Sequence, residues 1–510
     1  MLVSSLFCIL NLYKIISRGR LVLKKYRLFG FVAIIFLCIG LTYKYFQTDT
    51  FYMIKLGDFI FHHGIDFLDH YCWITKLPYT YPHWLYDLFI YLIYSRFGYY
   101  GIYFSAIITY MLLCLTIYYV SLKLIKNEFF SIILSIICVF RLSMFAVARA
   151  QLISLICFVL EFYFINKVIN TGKKRYSFFL FLLCILIANV HATVWPFFFI
   201  LFLPFFGEYI IYKISKKYFK IKKSFKLKIE MIPHIKLLLV TFGISLFLGI
   251  FSPSKICYTY IFRIMVGDSQ KYLLEHLPLV TIEHPFFLVA ILIFLIVLIF
   301  TNTKIYLREL FMIGGLSFMS LVSIRHLSFF YTIGVIEIGI ICIRSLNELH
   351  DSTFDILGKI LLENKFLYCI LLLGIAIFSY SQFLNHSKED FVMKKDYPVD
   401  AVRYIKNNLD YKNIKLYNGY DYGSYLLFNG IPVFIDARCD LYLKEFNGMD
   451  YSIFDKMENI SKNYEKDFEK YEVTHVLVEK KETLFLILSK DSHYKMLYND
   501  KYFTLFEKIV

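Results

Sequence analysis

Stretches of roughly 17–22 apolar residues recur between Phe29 and Tyr380, the length that a bilayer core demands of a helix. They predict about eleven spans, at 29–46, 101–122, 129–146, 152–168, 176–190, 193–212, 236–252, 286–301, 307–323, 327–343 and 366–383. Residues 47–100 form a long loop between the first two. Within it, "TFYMIKLGDFIFHHG" carries apolar residues at helical spacing and predicts a helix lying on the membrane surface. "WLYDLFIYLIYSRFG" predicts a second such helix or a short half-span. A second sizeable loop covers 253–284, and an amphipathic stretch covers 346–364.

After Gln382 the pattern changes. "PVDAVRYIKNN" predicts a helix opening with Pro398 and Asp400, residues suited to a first turn. "IKLYN", "PVFIDAR" and "THVLVE" predict short buried strands, with "YDYGSYLLFNG" between the first two. "KETLFLIL" predicts a helix, and "YKMLYND" with "YFTLFEKI" a hairpin around Asn499–Asp500. The expected organisation is a basic N-terminus (1–28), an α-helical polytopic membrane region (29–384) and a C-terminal α/β domain (385–510).

Composition agrees. The 510 residues are 59% hydrophobic, with a mean hydropathy of +0.60, where soluble domains are nearer 45–50% apolar. A net charge of +16 alone would fit nucleic acid, but the positive residues gather at the ends of apolar segments, as the positive-inside rule requires. Lys14, Arg18, Arg20, Lys24, Lys25 and Arg27 precede the first span with no acid among them, so the N-terminus is expected in the cytoplasm. "YKISKKYFKIKKSFKLK" reads as a lysine-rich inner loop. An odd number of spans then leaves the C-terminal domain outside a multi-pass cell-membrane protein. The first twelve residues are apolar with no small-residue cleavage site after them, so they read as an uncleaved start. Most of the eleven cysteines sit singly in apolar stretches as small hydrophobes, and none has zinc-type pair spacing.

Sorting the polar residues by side separates topology from chemistry. The inner face collects mostly lysines, which topology explains. The outer face collects Asp49, Asp69, Arg149, Asn189, His191, Glu275 and Arg325, with His83, Gln151 and His276 among others. Interfacial solvation accounts for any one of them, and a shared site accounts for the set. Asp49 lies just past the first span, in "YFQTDTFY". There a carboxylate serves as a general base toward a hydroxyl, binds a metal, or caps the next helix. "FIDAR" puts Asp436 and Arg438 at the end of an apolar run, suited to a ligand contact or an internal salt bridge. Glu161 and Glu337 fall within spans, near inner ends where water or lysine is in reach.

The stretch "TDTFYMIKLGDFIFHHGIDFLDHYCW…YPHWLYDLFIYLIYSRFGYYGI" resembles the first outer loop of bacterial GT-C type glycosyltransferases, which use lipid-phosphate-linked sugar donors. Their Asp, Gly, second Asp and Trp-Leu pair correspond here to Asp49, Gly57, Asp69 and Trp84–Leu85. "ARAQLIS", "ANVHATVW", "SP", "LLEHLP" and "RHLSFF" follow in the family's order, and "YNGYDYGSYLLFNGIPVFIDARCDLY" is similar to the outer-domain signature of many uncharacterised members. The resemblance implies a glycosyltransferase with a polyprenyl-phosphate-sugar donor and a glycan, lipid or protein acceptor. It gives Asp49 the role of catalytic base and lets Asp69 or the outer histidines assist or hold a divalent cation. A strict Asp-x-Asp metal motif is absent. Arg149 and Arg325 are implied to hold the donor phosphate, as a guanidinium matches phosphate oxygens, with snorkelling at a helix end as the other reading. Asn189, His191, Glu275, Asp436 and Arg438 complete the implied substrate contacts. "YDYG" resembles the acceptor-peptide motif of oligosaccharyltransferases without its preceding tryptophans. Asp421 is thus a substrate contact or an N-cap, and Gly423 allows close packing. Two other classes stand beside the enzyme: a transporter or lipid flippase, and a non-catalytic envelope protein whose outer domain binds a partner.

Overall fold

The computed structural model describes residues 25–217, 226–253, 255–260, 262–263 and 276–509. The N-terminus before Lys25, part of the lysine-rich loop (218–225) and Glu275 lie outside them. A helix covers each predicted span. In chain order the helices are α1 (Lys25–Leu41), α2 (Thr48–His63), α3 (Trp84–Leu124), α4 (Glu128–Leu142), α5 (Ala150–Thr171), α6 (Lys174–Val190), α7 (Trp195–Ile200), α8 (Leu203–Lys217) and α9 (Ile235–Phe247). Then come α10 (Pro285–Phe300), α11 (Leu307–Val322), α12 (Val335–Glu348) and α13 (Lys365–Ser387). Among the described residues, six helices are long and apolar enough to cross a membrane, and three apolar ones are shorter. The molecule is a helical membrane protein.

Apolar side chains face outward along this bundle, as a lipid-facing surface requires. On α13, Phe366 is 72% exposed and Ile377 61%, and the helix packs chiefly along α1. The interior is polar only locally. Glu161 is fully buried, and neither of its carboxylate oxygens has a hydrogen-bond partner. Among the described residues it pairs with no lysine. Glu337 is also buried.

The loop 47–100 holds a helix at each of the two places expected. The apolar face of helix α2 is covered by α3 and by a helix of the C-terminal region. Gly57 makes this approach possible, since a Cβ there would meet the Asp87 carbonyl oxygen at 2.0 Å. "WLYDLFIYLIYSRFG" is the first part of α3, which breaks at Gly98 (φ 58°, ψ −149°), a conformation glycine tolerates.

The C-terminal region contains α14 (Val399–Asn408), α15 (Tyr420–Phe428), α16 (Ile460–Lys470) and a four-stranded sheet. Two short strands in the membrane region, β1 (Leu227–Lys228) and β2 (Ile305–Tyr306), pair parallel. The sheet consists of β3 (Leu416–Tyr417), β4 (His475–Glu479), β5 (Tyr494–Asn499) and β6 (Phe503–Lys508), in the order β3-β4-β6-β5. Strand β3 runs parallel to β4, and β6 antiparallel to both its neighbours. The expected hairpin is β5–β6. "PVFIDAR" is not a strand of this sheet. Its backbone pairs instead with the first loop: the Val433 N–H donates to the Tyr71 carbonyl at 3.0 Å, and the Trp73 N–H to the Val433 carbonyl at 3.1 Å. This pairing seats the C-terminal region on one end of the bundle.

Candidate active site

Three chain junctions meet beneath the C-terminal region. At the first, Asp49 sits in the opening turn of α2, where a negative charge suits the helix dipole. It does not cap that helix; Gln47 holds the N-cap position. Its carboxylate pairs with the guanidinium of Arg149, the residue before α5. Arg149 also donates to the Gln47 side chain at 3.4 Å. The start of α2 and the start of α5 are thereby tied through one ion pair.

At the second junction, His83 precedes α3 and His191 follows α6. Their rings lie 4.7 Å apart, and His191 Nδ1 is 2.9 Å from the Ser154 hydroxyl on α5. The Ala192 N–H donates to the Pro82 carbonyl at 2.9 Å, joining the two loops. Burial, then the charges of Arg325 and Arg149, push the His83 imidazole down to about 3. Burial also holds His191 well below its ordinary value, helped by His83 and the same arginines. Both rings are therefore neutral at pH 7 and act as hydrogen-bonding groups.

At the third, Arg325 lies in the turn Ile324–His326 after α11, with its Nη1 3.2 Å from His276 Nε2. The C-terminal region closes the space above with Tyr420, Arg438 and Asp440. Tyr260 donates to Asp440 at 3.2 Å. Burial pushes the Asp440 carboxyl up to about 6, against the opposing effects of that hydrogen bond and of Arg325.

Together these walls enclose a cavity of about 100 Å³. Asp49, Arg149, His191, Arg325 and Arg438 all line it. The other sequence candidates lie elsewhere. Asp69 and Asp436 stand behind Arg438, fully buried: Arg438 donates to Asp69 at 2.5 Å and twice to Asp436, at 2.9 and 2.7 Å. Asp69 also accepts the Cys72 N–H at 2.7 Å. Asn189 accepts from the Trp84 indole at 3.0 Å and donates to the Ile185 carbonyl, so it braces α3 against α6. Asp421 is exposed in the first turn of α15, two residues past the N-cap Gly419, and outside the cavity wall. Gly423 packs against the Ile435 carbonyl, which a Cβ would meet at 2.0 Å.

Tyr52, Tyr79, Tyr260 and Asp440 line the cavity without having been singled out from the sequence. Asp440 lies two residues after Arg438 and four after Asp436, a spacing that could have marked it. Among the described residues no three His, Cys, Asp or Glu side chains gather as metal ligands. Of the described carboxylates lining the cavity, Asp49 faces a guanidinium and Asp440 accepts from Tyr260, while Asp69 stands behind Arg438.

No protein-family model matches the sequence, and no curated protein does. Solved structures match over nearly the whole chain. The archaeal oligosaccharyltransferase AglB from Archaeoglobus fulgidus, in complex with an inhibitory peptide and a dolichol-phosphate, aligns with a TM-score of 0.57 at 10% identity, over 92% of this chain and 72% of that one. ArnT from Cupriavidus metallidurans, bound to undecaprenyl phosphate, aligns with a TM-score of 0.53 at 11% identity, over 94% of this chain and 97% of its own. Both are GT-C glycosyltransferases, and this chain has their fold.

Proposed function

We propose that this chain is a membrane glycosyltransferase that moves a sugar from a polyprenyl-phosphate-linked donor to an acceptor on the outer face, with Asp49 as general base. The observation that carries this reading is the Asp49–Arg149 ion pair in the wall of a cavity on a GT-C fold. The lipid phosphates named for AglB and ArnT support the donor class.

In the proposed reaction the acceptor oxygen bonds to the anomeric carbon as the bond from that carbon to the phosphate oxygen breaks. Asp49 takes the acceptor proton. The polyprenyl phosphate leaves with the electron pair, and Arg325 and Arg149 stabilise its charge. Arrival of the donor phosphate gives Arg149 a second anion to bind, leaving the Asp49 oxygens available to the acceptor. His83 and His191, held neutral, hydrogen-bond sugar hydroxyls. Arg438 is fixed by two carboxylates behind it and orients the acceptor side. No step runs through a metal ion.

The test supplies membranes containing the full chain with a polyprenyl phosphate carrying a radiolabelled sugar. The proposal expects label to leave the lipid for an acceptor fraction. Label that crosses the bilayer still attached to its lipid is the behaviour of a flippase and overturns the proposal.

A further inference from the structure

A second polar cavity, of about 380 Å³, lies at the other end of the same helices. Three elements carry one cavity at each end. Before α3 stands His83 in the first cavity, and at its end stands Lys123 in the second. Arg149 precedes α5 in the first cavity and Lys167 lies near its end in the second, and the span beginning at Arg325 reaches Arg344. From Arg149 to Lys167 is about 27 Å at 1.5 Å per residue, close to the thickness of a bilayer core.

The charges of the second cavity are organised. Arg308 pairs with Glu208, which is fully buried, at 3.0 Å. Arg344 grips Glu309 through both amino groups, at 2.8 and 2.5 Å. Both guanidinium groups lie over the Tyr306 ring, 4.1 and 5.0 Å from its centre. These arginines are thus held rigidly with their charges balanced. Lys123, Lys126 and Lys167 also line the cavity, and none has a carboxylate partner among the described residues. The one further lining carboxylate, Glu337, leaves the cavity with a cationic excess. Asn166 and Thr171 add hydrogen-bonding groups, while Phe205 and Met312 supply an apolar floor toward the bundle.

Lysines at helix ends follow from topology alone. Topology does not require a chamber large enough for a ligand, a rigid pair of arginines and an apolar floor. Basic pockets between membrane helices on this side suit anionic head groups. We infer that this second cavity is a binding site for a phosphate-bearing anion, with the head group of an inner-leaflet anionic lipid as its occupant. It is separate from the outer cavity and does not rest on the transferase reading.

The experiment measures thermal unfolding of the full chain in phosphatidylcholine nanodiscs, with and without phosphatidylglycerol. A parallel arm adds inorganic phosphate to phosphatidylcholine discs at matched ionic strength. The variant Lys126→Gln/Lys167→Gln removes two cavity charges, and Lys126→Arg/Lys167→Arg keeps them. The control Lys173→Gln/Lys174→Gln removes two exposed charges from the neighbouring turn, outside the cavity. A ligand that binds the folded state raises the midpoint. The inference expects phosphatidylglycerol to raise it in the wild type, the Arg variant and the control, but not in the Gln cavity variant. If inorganic phosphate reproduces the same pattern, the site stands and its ligand is free phosphate. No rise in the wild type, or an equal rise in the Gln cavity variant, overturns the site.

Discussion

Arg438 donates to Asp69 at 2.5 Å, joining residues 369 positions apart in sequence. One belongs to the C-terminal region and the other to the first long loop, and both are buried with side chains 1% and 0% exposed. The same guanidinium holds Asp436, which also accepts from the Tyr442 hydroxyl at 2.6 Å. Two carboxylates on one buried guanidinium form a clamp between the bundle and its roof, and one face of that clamp is the cavity wall.

This contact predicts a structural part for Asp69. Replacing it with Ala leaves a buried guanidinium short of a partner, and breaking such a pair costs about 3–5 kcal/mol. Thermal unfolding in detergent is expected to show a large drop for Asp69→Ala. A catalytic carboxylate would behave otherwise: activity would vanish while the midpoint stayed near wild type.

The neutral histidine pair makes stability pH-dependent. The folded value of about 3 for His83 lies below the 6.5 of a free imidazole, and His191 is lowered in the same sense. The unfolded chain binds protons that the folded chain refuses. Stability is full above pH 6.5 and falls as the pH drops below it, by about 1.4 kcal/mol per pH unit for each proton. Chemical unfolding between about pH 7 and pH 5, compared with a variant lacking both imidazoles, checks this. His83→Asn/His191→Asn is expected to flatten the slope.

Asp440 has the opposite sign. Its folded value of about 6 lies above the ordinary 3.8, so its contribution is fully present at low pH and lost as the pH rises through 6. Asp440→Asn is expected to gain stability on the wild type across that window and to hold the gain above it. A gain that does not change with pH would mean the carboxyl is solvated rather than enclosed beside Tyr260.

Much of this was legible in the chain because its causes are local. Twenty-odd apolar residues specify a membrane helix whatever packs against it, and Asn499–Asp500 between two apolar runs specified the β5–β6 hairpin. "PVFIDAR" was misread because its partner is Tyr71 to Trp73, some 360 residues away, which no local pattern announces. For helix α2, amphipathicity shows that a face is covered but not what covers it, and here α3 and α15 do. At the site, Asp49, Arg149, His191 and Arg325 could be collected by side of the membrane, and Arg438 by its place in "FIDAR". Which of the remaining candidates point into the cavity depends on long-range pairing. Asp69 is turned away by Arg438, and Asn189 by Trp84. Asp440 could have been marked by its spacing from Arg438, but its partner Tyr260 lies 180 positions away, beyond any local pattern.

The central claim is that the chemistry happens at Asp49. Its most direct test is donor turnover by Asp49→Asn, measured beside Asp421→Asn, at matched amounts of folded protein in vesicles. Loss of a general base lowers the rate by about 10²–10⁴-fold, so Asp49→Asn is expected to fall in that range, with only a modest drop in its unfolding midpoint from loss of the Arg149 ion pair. Asp421→Asn, exposed and outside the cavity, is expected to turn over donor like the wild type. Wild-type turnover by Asp49→Asn would contradict the account.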